Sequence, residues 1–467
     1  MADRHIVIVG GGFSGTALAV HLARGGHAGL RVTVIEPRDG VAQGVAYGSR
    51  DPAHRINVPA DRMQLTAAEQ GDFDRWFRAS AAFVNDPAAR WHDGRVYPQR
   101  GQFAAYISGL FADAQRQSPV VLRHLRDRAV ALENGEVVTA GGERLRADEL
   151  VLAISHPPPA LPRSIALALE GHPGLIADPW RHNALADIAP HESIAIIGSG
   201  LTMADTVATL HRHGHRGPIV AFSRRGLLPR ANLSGSFEPW ELDYRSGQPG
   251  SALGWLRRIR HEVKQAAAQG LPWQLVLDDI RQNGQAIWQQ LSLAEQRRFL
   301  RHLRPWWDVH RYRIAPQVNA VLAQWQASGQ LSVLAARLQS ITAEGTTIRL
   351  DLRSRRGEAR SLKVDRLIVT TGPAHGGLLQ SDALLHQLAR DGVIQPDELA
   401  LGIKVNGRSQ AINRFGAPNL HLYVAGPAAR GRFGELMGLP QVAEHAESVA
   451  RQLLAACPAV DAPGGDA

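Results

Sequence analysis

A short unit, in which an apolar strand leads through a glycine-rich turn into a helix and a second strand, occurs twice in this chain. It constrains the fold more than any other feature, because a strand–helix–strand unit of this length predicts a parallel sheet. The first copy occupies residues 4–36 and the second residues 193–225. Continuous apolar runs such as residues 6–9 are typical of strands that are buried on both faces of such a sheet.

The turn of the first copy reads GGGFSG over residues 10–15, and Glu36 follows the second strand 21 residues after Gly15. A lone glycine motif is weak evidence, but the strands, helix and terminal acid at this offset together predict a dinucleotide site. The glycines allow a tight turn, close approach of a pyrophosphate, and close helix–strand packing. A glycine-rich turn without a nucleotide is the alternative. The predicted binding residues are Gly10, Gly12, Phe13, Ser14, Gly15 and Glu36.

The second copy carries the opposite charge at the position where a ribose is expected. Arg224 lies 21 residues beyond Met203, the offset at which the first copy has Glu36. Arginines favour a 2′-phosphate through charge-assisted hydrogen bonds, whereas Glu36 would repel one, so the second copy predicts NADPH. The alternative is that the arginines belong to a solvated loop. The predicted binding residues are Gly198, Gly200, Leu201, Thr202, Arg224 and Arg225.

Each copy is followed by a pattern typical of a β-meander and then by one more strand. The meanders are predicted at residues 120–147 and 331–364, and the strands at 149–154 and 366–369. A late strand, residues 420–424, ends in small residues that include Gly426. The predicted fold class is α/β, with two Rossmann-like dinucleotide-binding domains, β-meanders and a helical insertion.

This arrangement resembles the two-dinucleotide-binding-domain flavoproteins, in which one domain binds FAD and a second, inserted in it, binds NAD(P)H. The resemblance implies that Gly426 lies near the ribityl chain of the flavin, and that the next helix, which opens near Leu439, points at the isoalloxazine ring. It also implies the domain limits: an FAD domain of residues 1–160 and 365–456, an NADPH domain of residues 161–364 with a helical, substrate-side insertion at about 231–330, and a flexible tail at 457–467.

Shorter strings resemble a bacterial group of FAD/NAD(P)-binding proteins. They are GVAYG at residues 44–48, DPAHRINVPA at residues 51–60 and YPQR at residues 97–100. Members of that group include flavin-dependent N-hydroxylating monooxygenases, notably L-aspartate N-monooxygenases. The resemblance adds Gly44, Asn57 and Arg100 to the expected cofactor-binding residues. The loop 44–60 either covers the flavin or is an ordinary packed excursion.

The same resemblance implies a reaction. NADPH reduces FAD, and the reduced flavin traps O₂ as a C4a-hydroperoxide that N-hydroxylates a small amine or amino acid, with L-aspartate one candidate. Two alternatives stay open, an FAD-dependent NADPH oxidoreductase without oxygen insertion and a non-catalytic FAD-binding module. Cys457 is the only cysteine, which excludes a CxxC redox pair and a thiolate metal cluster.

Charge and hydropathy limit the classes of partner that this chain is expected to bind. The net charge is +9, and residues 251–330 hold eleven Lys/Arg against five Asp/Glu, but no nucleic-acid-binding motif accompanies them. A small anionic substrate suits this segment better than nucleic acid does. No apolar run is long enough for a membrane helix and no secretory signal is evident, so we expect a cytoplasmic protein without a membrane partner. The sequence leaves a monomer and a homodimer open.

The segment 231–330 is predicted to be largely helical and to determine the substrate, and it contains seven of the ten tryptophans. Residues 304–313 (RPWWDVHRYR) combine aromatic and cationic side chains, and Pro305 is expected to break the helical pattern there. One interpretation is a cationic, aromatic-walled pocket in which Arg311 and Arg313 hold a substrate carboxylate and His310 acts as a general base. The other is a helix–helix corner whose arginines pair with acids on the FAD domain.

Overall fold

A computed structural model describes residues 4–154, 156–157, 159–244 and 247–456, and the tail expected at 457–467 lies outside these residues. The strands, in chain order, are β1 (Arg4–Val9), β2 (Leu30–Ile35), β3 (Val121–Leu125), β4 (Ala129–Glu133), β5 (Glu136–Thr139), β6 (Arg144–Arg146), β7 (Glu149–Leu152), β8 (Leu175–Ile176), β9 (Ile194–Ile197), β10 (Ile219–Ser223), β11 (Leu331–Glu344), β12 (Thr347–Ser354), β13 (Ala359–Val364), β14 (Arg366–Val369), β15 (Gln410–Ile412) and β16 (Pro418–Val424).

The α-helices are α1 (Phe13–Gly25), α2 (Gly44–Tyr47), α3 (Asp72–Arg78), α4 (Ala81–Asn85), α5 (Arg100–Gln117), α6 (Arg163–Ala168), α7 (Leu201–Arg212), α8 (Ala252–Ala268), α9 (Trp273–Gln282), α10 (Gly284–Gln290), α11 (Leu293–Arg298), α12 (Arg304–Arg311), α13 (Pro316–Ala327), α14 (Ala383–Arg390), α15 (Arg430–Phe433) and α16 (Gln441–Ala455). Short 3₁₀ segments lie at Ala60–Arg62, Ala67–Glu69, Pro87–Ala89, His375–Gln380 and Pro427–Ala429, and a π-helical turn at Phe299–Leu303.

The first sheet has the strand order β15-β16-β7-β1-β2-β3, and its neighbours are parallel except for the antiparallel pair β15–β16. Its central strand β1 contains Ile6, Val7 and Ile8, which have no exposed surface, as the continuous apolar run predicts. Because β1, β2, β7 and β16 run parallel, their carboxyl ends meet at one edge. This sheet and the helices around it form the first unit (residues 4–154 and 370–456).

The second sheet has the order β13-β12-β11-β10-β9-β14-β8. Strands β8 to β11 and β14 pair in parallel, while β11, β12 and β13 form antiparallel hairpins at one edge. This sheet and its helices form the second unit (residues 159–369). Strands β4, β5 and β6 form a separate antiparallel meander in the first unit. The predicted α/β class with two Rossmann-like halves is confirmed.

The chain returns to the first unit later than the sequence suggests. Residues 366–369 form β14, which pairs with β9 and β8 in the second sheet, so the return comes after Val369 rather than at about 365. The physical reason is strand pairing. Arg366 lies opposite Ile194, so β14 pairs with β9 in the second sheet in the same way as β7 pairs with β1 in the first sheet.

The insertion is helical, as expected, but Pro305 does not interrupt it. Pro305 lies in the first turn of α12, and the π-helical turn Phe299–Leu303 leads directly into this helix, so the chain stays helical through the proline. Trp255, Val276 and Ile280 belong to a hydrophobic core that the insertion forms for itself. Within the described part of the chain, no helix has the length and apolar character needed to cross a membrane.

Candidate functional site

The first glycine turn packs tightly on one side and leaves space on the other. Gly10 has a φ of +103°, and a Cβ atom placed on Gly15 would lie 1.9 Å from the carbonyl oxygen of Gly10. A Cβ on Gly12 would meet only the Cα atom of Gly44, at 3.5 Å. Gly10 and Gly15 are therefore fixed by backbone conformation and packing, whereas Gly12 borders free space into which a ligand can approach.

Helix α1 begins directly after this turn, at Phe13 and Ser14. Its N-cap residue is Gly12, which offers no side chain to the first N–H groups of the helix. Unpaired N–H groups and the positive end of the helix dipole form an anion site at such a position. Gly426 lies against the same helix start, because a Cβ atom placed on it would be 2.4 Å from Ser14 Oγ. The structure thus brings together Gly12, Phe13, Ser14 and Gly426, and their contact with FAD stays a prediction.

Glu36 lies at the carboxyl end of β2 and is almost fully buried. Its carboxylate accepts hydrogen bonds from the backbone N–H of Gly11 at 3.0 Å and from the Arg38 backbone and guanidinium at 3.1 and 3.0 Å. The acid is therefore positioned beside the glycine turn, where a ribose is expected. Its contact with a ribose stays a prediction.

His445 connects the turn at Gly426 to α16. The Gly426 N–H donates to His445 Nδ1 at 3.1 Å, so the proton of the neutral ring resides on Nε2, which lies 2.9 Å from Ser409 Oγ. Burial lowers the pKa of His445 to about 4, which keeps the ring neutral. Helix α16 starts just after Leu439, whose carbonyl oxygen accepts a hydrogen bond from Arg281 of the insertion.

The second glycine turn is equally open toward a ligand. Gly198 has a φ of +113°, and a Cβ atom on it would lie 2.5 Å from Thr370 Oγ1. A Cβ on Gly200 would meet no described atom within 4 Å. Leu201 and Thr202 form the first turn of α7, which again has a glycine N-cap and no side-chain cap. This turn therefore presents a second anion site with open space before it.

The loop after β10 lies beside the second turn. Ser199 Oγ donates to the carbonyl oxygen of Leu227 at 2.6 Å, which fixes the loop that carries both predicted arginines. Arg224 is exposed, whereas Arg225 is half-buried and its Nη1 atom has no hydrogen-bond partner among the residues that the structure describes. An unpartnered guanidinium nitrogen next to an open glycine turn fits a nucleotide phosphate.

The loop 44–60 belongs to the first unit and contacts the second unit. Asp51 Oδ2 accepts a hydrogen bond from Thr209 of α7 at 2.7 Å, and His54 Nε2 lies 3.0 Å from the same hydroxyl. Gly44 begins the short helix α2, and the carbonyl oxygen of Asn57 accepts from Asn232 of the second unit at 2.7 Å. The contacts of this loop therefore include an interface with the second unit. Its predicted role over the flavin stays a prediction.

Arg100 lies at the same interface. It is 7% exposed and forms an ion pair with Asp205 of α7 at 2.8 Å, and its Nε donates to the carbonyl oxygen of Arg55 at 2.9 Å. Asp205 is likewise buried, at 4% exposure. The guanidinium of Arg100 thus contacts the second unit, and its predicted contact with FAD stays a prediction.

A cavity of about 860 Å³ lies between the insertion and residues 430–437 of the first unit. These residues lie between Gly426 and α16, so the cavity borders the segment where the flavin ring is expected. His310 lines the cavity, with Nδ1 2.7 Å from the carbonyl oxygen of Trp306 and its ring edge-to-face with Trp273 at 5.0 Å.

The two arginines predicted as carboxylate anchors already contact carboxylates. Arg311 Nε donates to Glu435 of the first unit at 2.9 Å, and Arg313 forms an ion pair with Asp278. Both arginines are buried. The pair of Arg311 with Glu435 fits the alternative of a helix–helix corner, because Glu435 belongs to the first unit. Arg313 instead pairs with Asp278, which belongs to the insertion itself. Their role as substrate anchors stays a prediction.

Sequence reasoning missed Arg430 and Asp308, which also line the cavity. Arg430 is 4% exposed, and Asp308 is held 3.4 Å from Arg304. Burial raises the pKa of Asp308 to about 6, because the ionised carboxylate loses hydration there. The one sequence feature that could have indicated Arg430 is its position four residues after Gly426. The sequence does not indicate that the insertion folds over Arg430.

Comparison with known proteins supports the predicted domain type and fold. A family model described as FAD-NAD(P)-binding matches residues 7–157, which confirms the expected domain type for the first glycine turn. No curated protein sequence is significantly similar to the chain.

Solved structures share the fold over almost the whole chain. Ornithine hydroxylase from Pseudomonas aeruginosa has a TM-score of 0.62 at 17% identity, over 97% of this chain and 100% of that one. L-lysine 6-monooxygenase from Pseudomonas syringae has a TM-score of 0.62 at 16% identity, over 98% and 100%. The FAD-bound cadaverine monooxygenase of desferrioxamine biosynthesis from Erwinia amylovora has 0.61 at 14%, over 96% and 93%.

Proposed function

We propose that the chain is an FAD- and NADPH-dependent monooxygenase that N-hydroxylates an amine or amino acid. The observation that carries this proposal is that two open glycine turns occur together with a largely apolar cavity beside the segment between Gly426 and α16. The fold that the chain shares with hydroxylases and monooxygenases of ornithine, lysine and cadaverine, all of which carry amino groups, supports it.

FAD would be held by the first unit. The N–H groups at Phe13 and Ser14 would bind its pyrophosphate, Gly12 would give it room, and Glu36 would accept hydrogen bonds from ribose hydroxyls. Gly426 and Leu439 would lie along the flavin. The free space before Gly12 and the approach of Gly426 to the start of α1 support this placement.

NADPH would be held by the second unit. Gly198 and Gly200 would border its pyrophosphate at the start of α7, near Leu201 and Thr202. The guanidinium of Arg225 would bind the 2′-phosphate, because its Nη1 atom lacks a partner within the described residues. Arg224, which is exposed, would add charge at the rim of the same site.

Bound FAD supplies hydride acceptance and oxygen transfer, so that R–NH₂, O₂, NADPH and H⁺ give R–NHOH, H₂O and NADP⁺. The chain's own residues must orient the amine and exclude water from it. The cavity walls suit that task, because most of the side chains that line them are apolar. A cytoplasmic location stays a prediction from the sequence, which leaves a monomer and a homodimer open.

The test supplies the FAD-loaded protein with NADPH, ¹⁸O₂ and a panel of amino acids and amines. We expect mass spectrometry to find one ¹⁸O atom in a hydroxylamine product, and NADPH consumption to match product formation. Reactions without amine, with and without catalase, measure peroxide release as the control. If NADPH oxidation gives stoichiometric hydrogen peroxide with every amine, the oxidoreductase without oxygen insertion is correct instead.

A further inference from the structure

The cavity beside the insertion is larger and more apolar than a short polar amino acid needs. Its volume is about 860 Å³, in the range of pockets that bury a drug-sized ligand. Burying a small polar substrate among apolar walls would cost hydration free energy without a return from apolar contact. Its apolar lining includes Trp255, Ile259, Val263, Leu277, Ile287 and Trp288.

One cation in this cavity is buried and has no carboxylate partner. Arg430 donates from Nε to the carbonyl oxygen of Leu401 at 3.2 Å, and its Nη1 lies 2.9 Å from Met437 Sδ. Its Nη2 atom is buried and has no hydrogen-bond partner in the described structure. Arg430 forms no ion pair with a described carboxylate, and the charges of Asp397 and Asp308 act on it without such a contact. A buried guanidinium in this state favours an anionic ligand.

The other charged groups around the cavity differ from Arg430. Arg260 and Lys264 are exposed, and Arg304 interacts with Asp308. Glu435 is already engaged by Arg311 and by Trp307 Nε1, at 2.9 and 2.8 Å. Arg430 is therefore the buried cation of this cavity with capacity for a carboxylate.

We propose that this cavity binds an α-amino acid with a large apolar side chain, whose carboxylate pairs with Arg430 and whose side chain occupies the tryptophan-lined part. The proposal deepens the N-hydroxylase function and rests on it for the reaction, but not for the binding. It replaces L-aspartate as the expected substrate type, because aspartate would place a second carboxylate among apolar walls.

The first experiment is isothermal titration calorimetry on the FAD-loaded full chain with three probes. L-2-Aminodecanoic acid has both the head group and the apolar tail, decylamine lacks the carboxylate, and L-aspartate lacks the tail. We expect the aminodecanoic acid to bind at least about tenfold more tightly than either other probe, because tail burial and the Arg430 contact each contribute. Equal or tighter binding of aspartate or decylamine, or no binding of the aminodecanoic acid, overturns the proposal.

Variants then test the two ends of the cavity. Arg430→Gln should weaken binding of the aminodecanoic acid by roughly 10- to 100-fold, the range for loss of a charge-assisted hydrogen bond. Arg432→Gln, which removes the same charge from an exposed residue two positions away, is the matched control and should bind like the wild type. Ile259→Trp, which fills apolar space, should weaken the same ligand without removing any charge. Wild-type affinity in Arg430→Gln overturns the assignment of the carboxylate, and wild-type affinity in Ile259→Trp overturns the placement of the apolar side chain.

The outcomes for binding and for function can be separated. If the aminodecanoic acid binds as expected but no amine yields a hydroxylamine, the proposed function fails and the ligand assignment stands. If a hydroxylamine forms from aspartate while the aminodecanoic acid does not bind, the function stands and the ligand assignment fails. Circular dichroism of each variant verifies folding, and the wild-type titration decides the question even if Arg430→Gln does not fold.

Discussion

Arginines near the proposed sites differ in whether a carboxylate pairs with them. Arg311 and Arg313 each pair with a carboxylate, although Arg311 Nη2 has no hydrogen-bond partner in the described structure. Arg225 and Arg430 also keep a buried nitrogen without a partner, and neither forms an ion pair with a described residue. A buried charge that is fully paired stabilises an arrangement of helices, and one that lacks a pair is available to a ligand. The residue type alone does not distinguish the two, because the partner lies far away in the sequence.

At the residue scale, the double variant Arg224→Ser/Arg225→Ser should change the choice of nicotinamide cofactor. We expect the KM for NADPH to rise roughly 10- to 100-fold, because charge-assisted hydrogen bonds to the 2′-phosphate are lost. The KM for NADH, which lacks that phosphate, should change less than about twofold. Steady-state kinetics of flavin reduction with both nucleotides measures this, with the exposed Arg216→Ser as the matched control. An equal loss with NADPH and NADH would contradict the assignment.

The elements that the sequence predicts best are those with a strong local pattern. The strands at residues 6–9 and 420–424 and the helices that follow both glycine turns could be predicted, because burial and glycine spacing are local signals. The course of α12 could not be predicted, because Pro305 is compatible both with a break in the helix and with a first helical turn. The contact of α16 with Gly426 could not be predicted either, because it depends on the position of His445 in the folded chain.

At the element scale, His445 should make stability depend on pH. Its pKa in the folded protein is about 4, below its ordinary value of 6.5, so its stabilising contribution is complete above pH 6.5 and is lost as the pH falls toward 4. The full loss corresponds to about 3 kcal/mol. Urea unfolding between pH 7.5 and pH 5 should therefore show a smaller decline for His445→Gln than for the wild type. His386→Gln, at an exposed position, should decline like the wild type, and parallel declines for all three proteins would disprove this role.

At the scale of the whole molecule, a polar interface connects the two nucleotide-binding units. Asp51, His54 and Arg100 of the first unit contact α7, the same helix whose start is proposed to bind NADPH. The interface could not be predicted from the sequence, because its partners lie more than a hundred residues apart and show no local pattern. The two units themselves could be predicted, since each repeats the same strand, turn and helix.

The ion pair between Arg100 and Asp205 should be the most sensitive contact of this interface. Asp205→Asn leaves Arg100 buried without its acid and should lower the free energy of unfolding by about 3–5 kcal/mol. The double variant Arg100→Met/Asp205→Leu should recover most of that loss, because it removes both charges. Urea unfolding of the three proteins measures this. Asp51→Asn disrupts the more exposed ion pair with Arg212, and we expect the loss of that pair to lower the free energy of unfolding by about 1 kcal/mol or less. A loss no greater for Asp205→Asn than for Asp51→Asn would refute the prediction.

The place of β16 in the first sheet has a consequence for biosynthesis. β16 pairs with β7, yet the whole second unit is translated between them. At about 5–20 residues per second, a ribosome needs on the order of tens of seconds to cover that distance. During this interval the second unit can complete its own sheet, while the first waits with one edge of β7 unpaired. The nascent chain therefore exposes an apolar strand edge, a template for wrong pairing, until its last strands emerge.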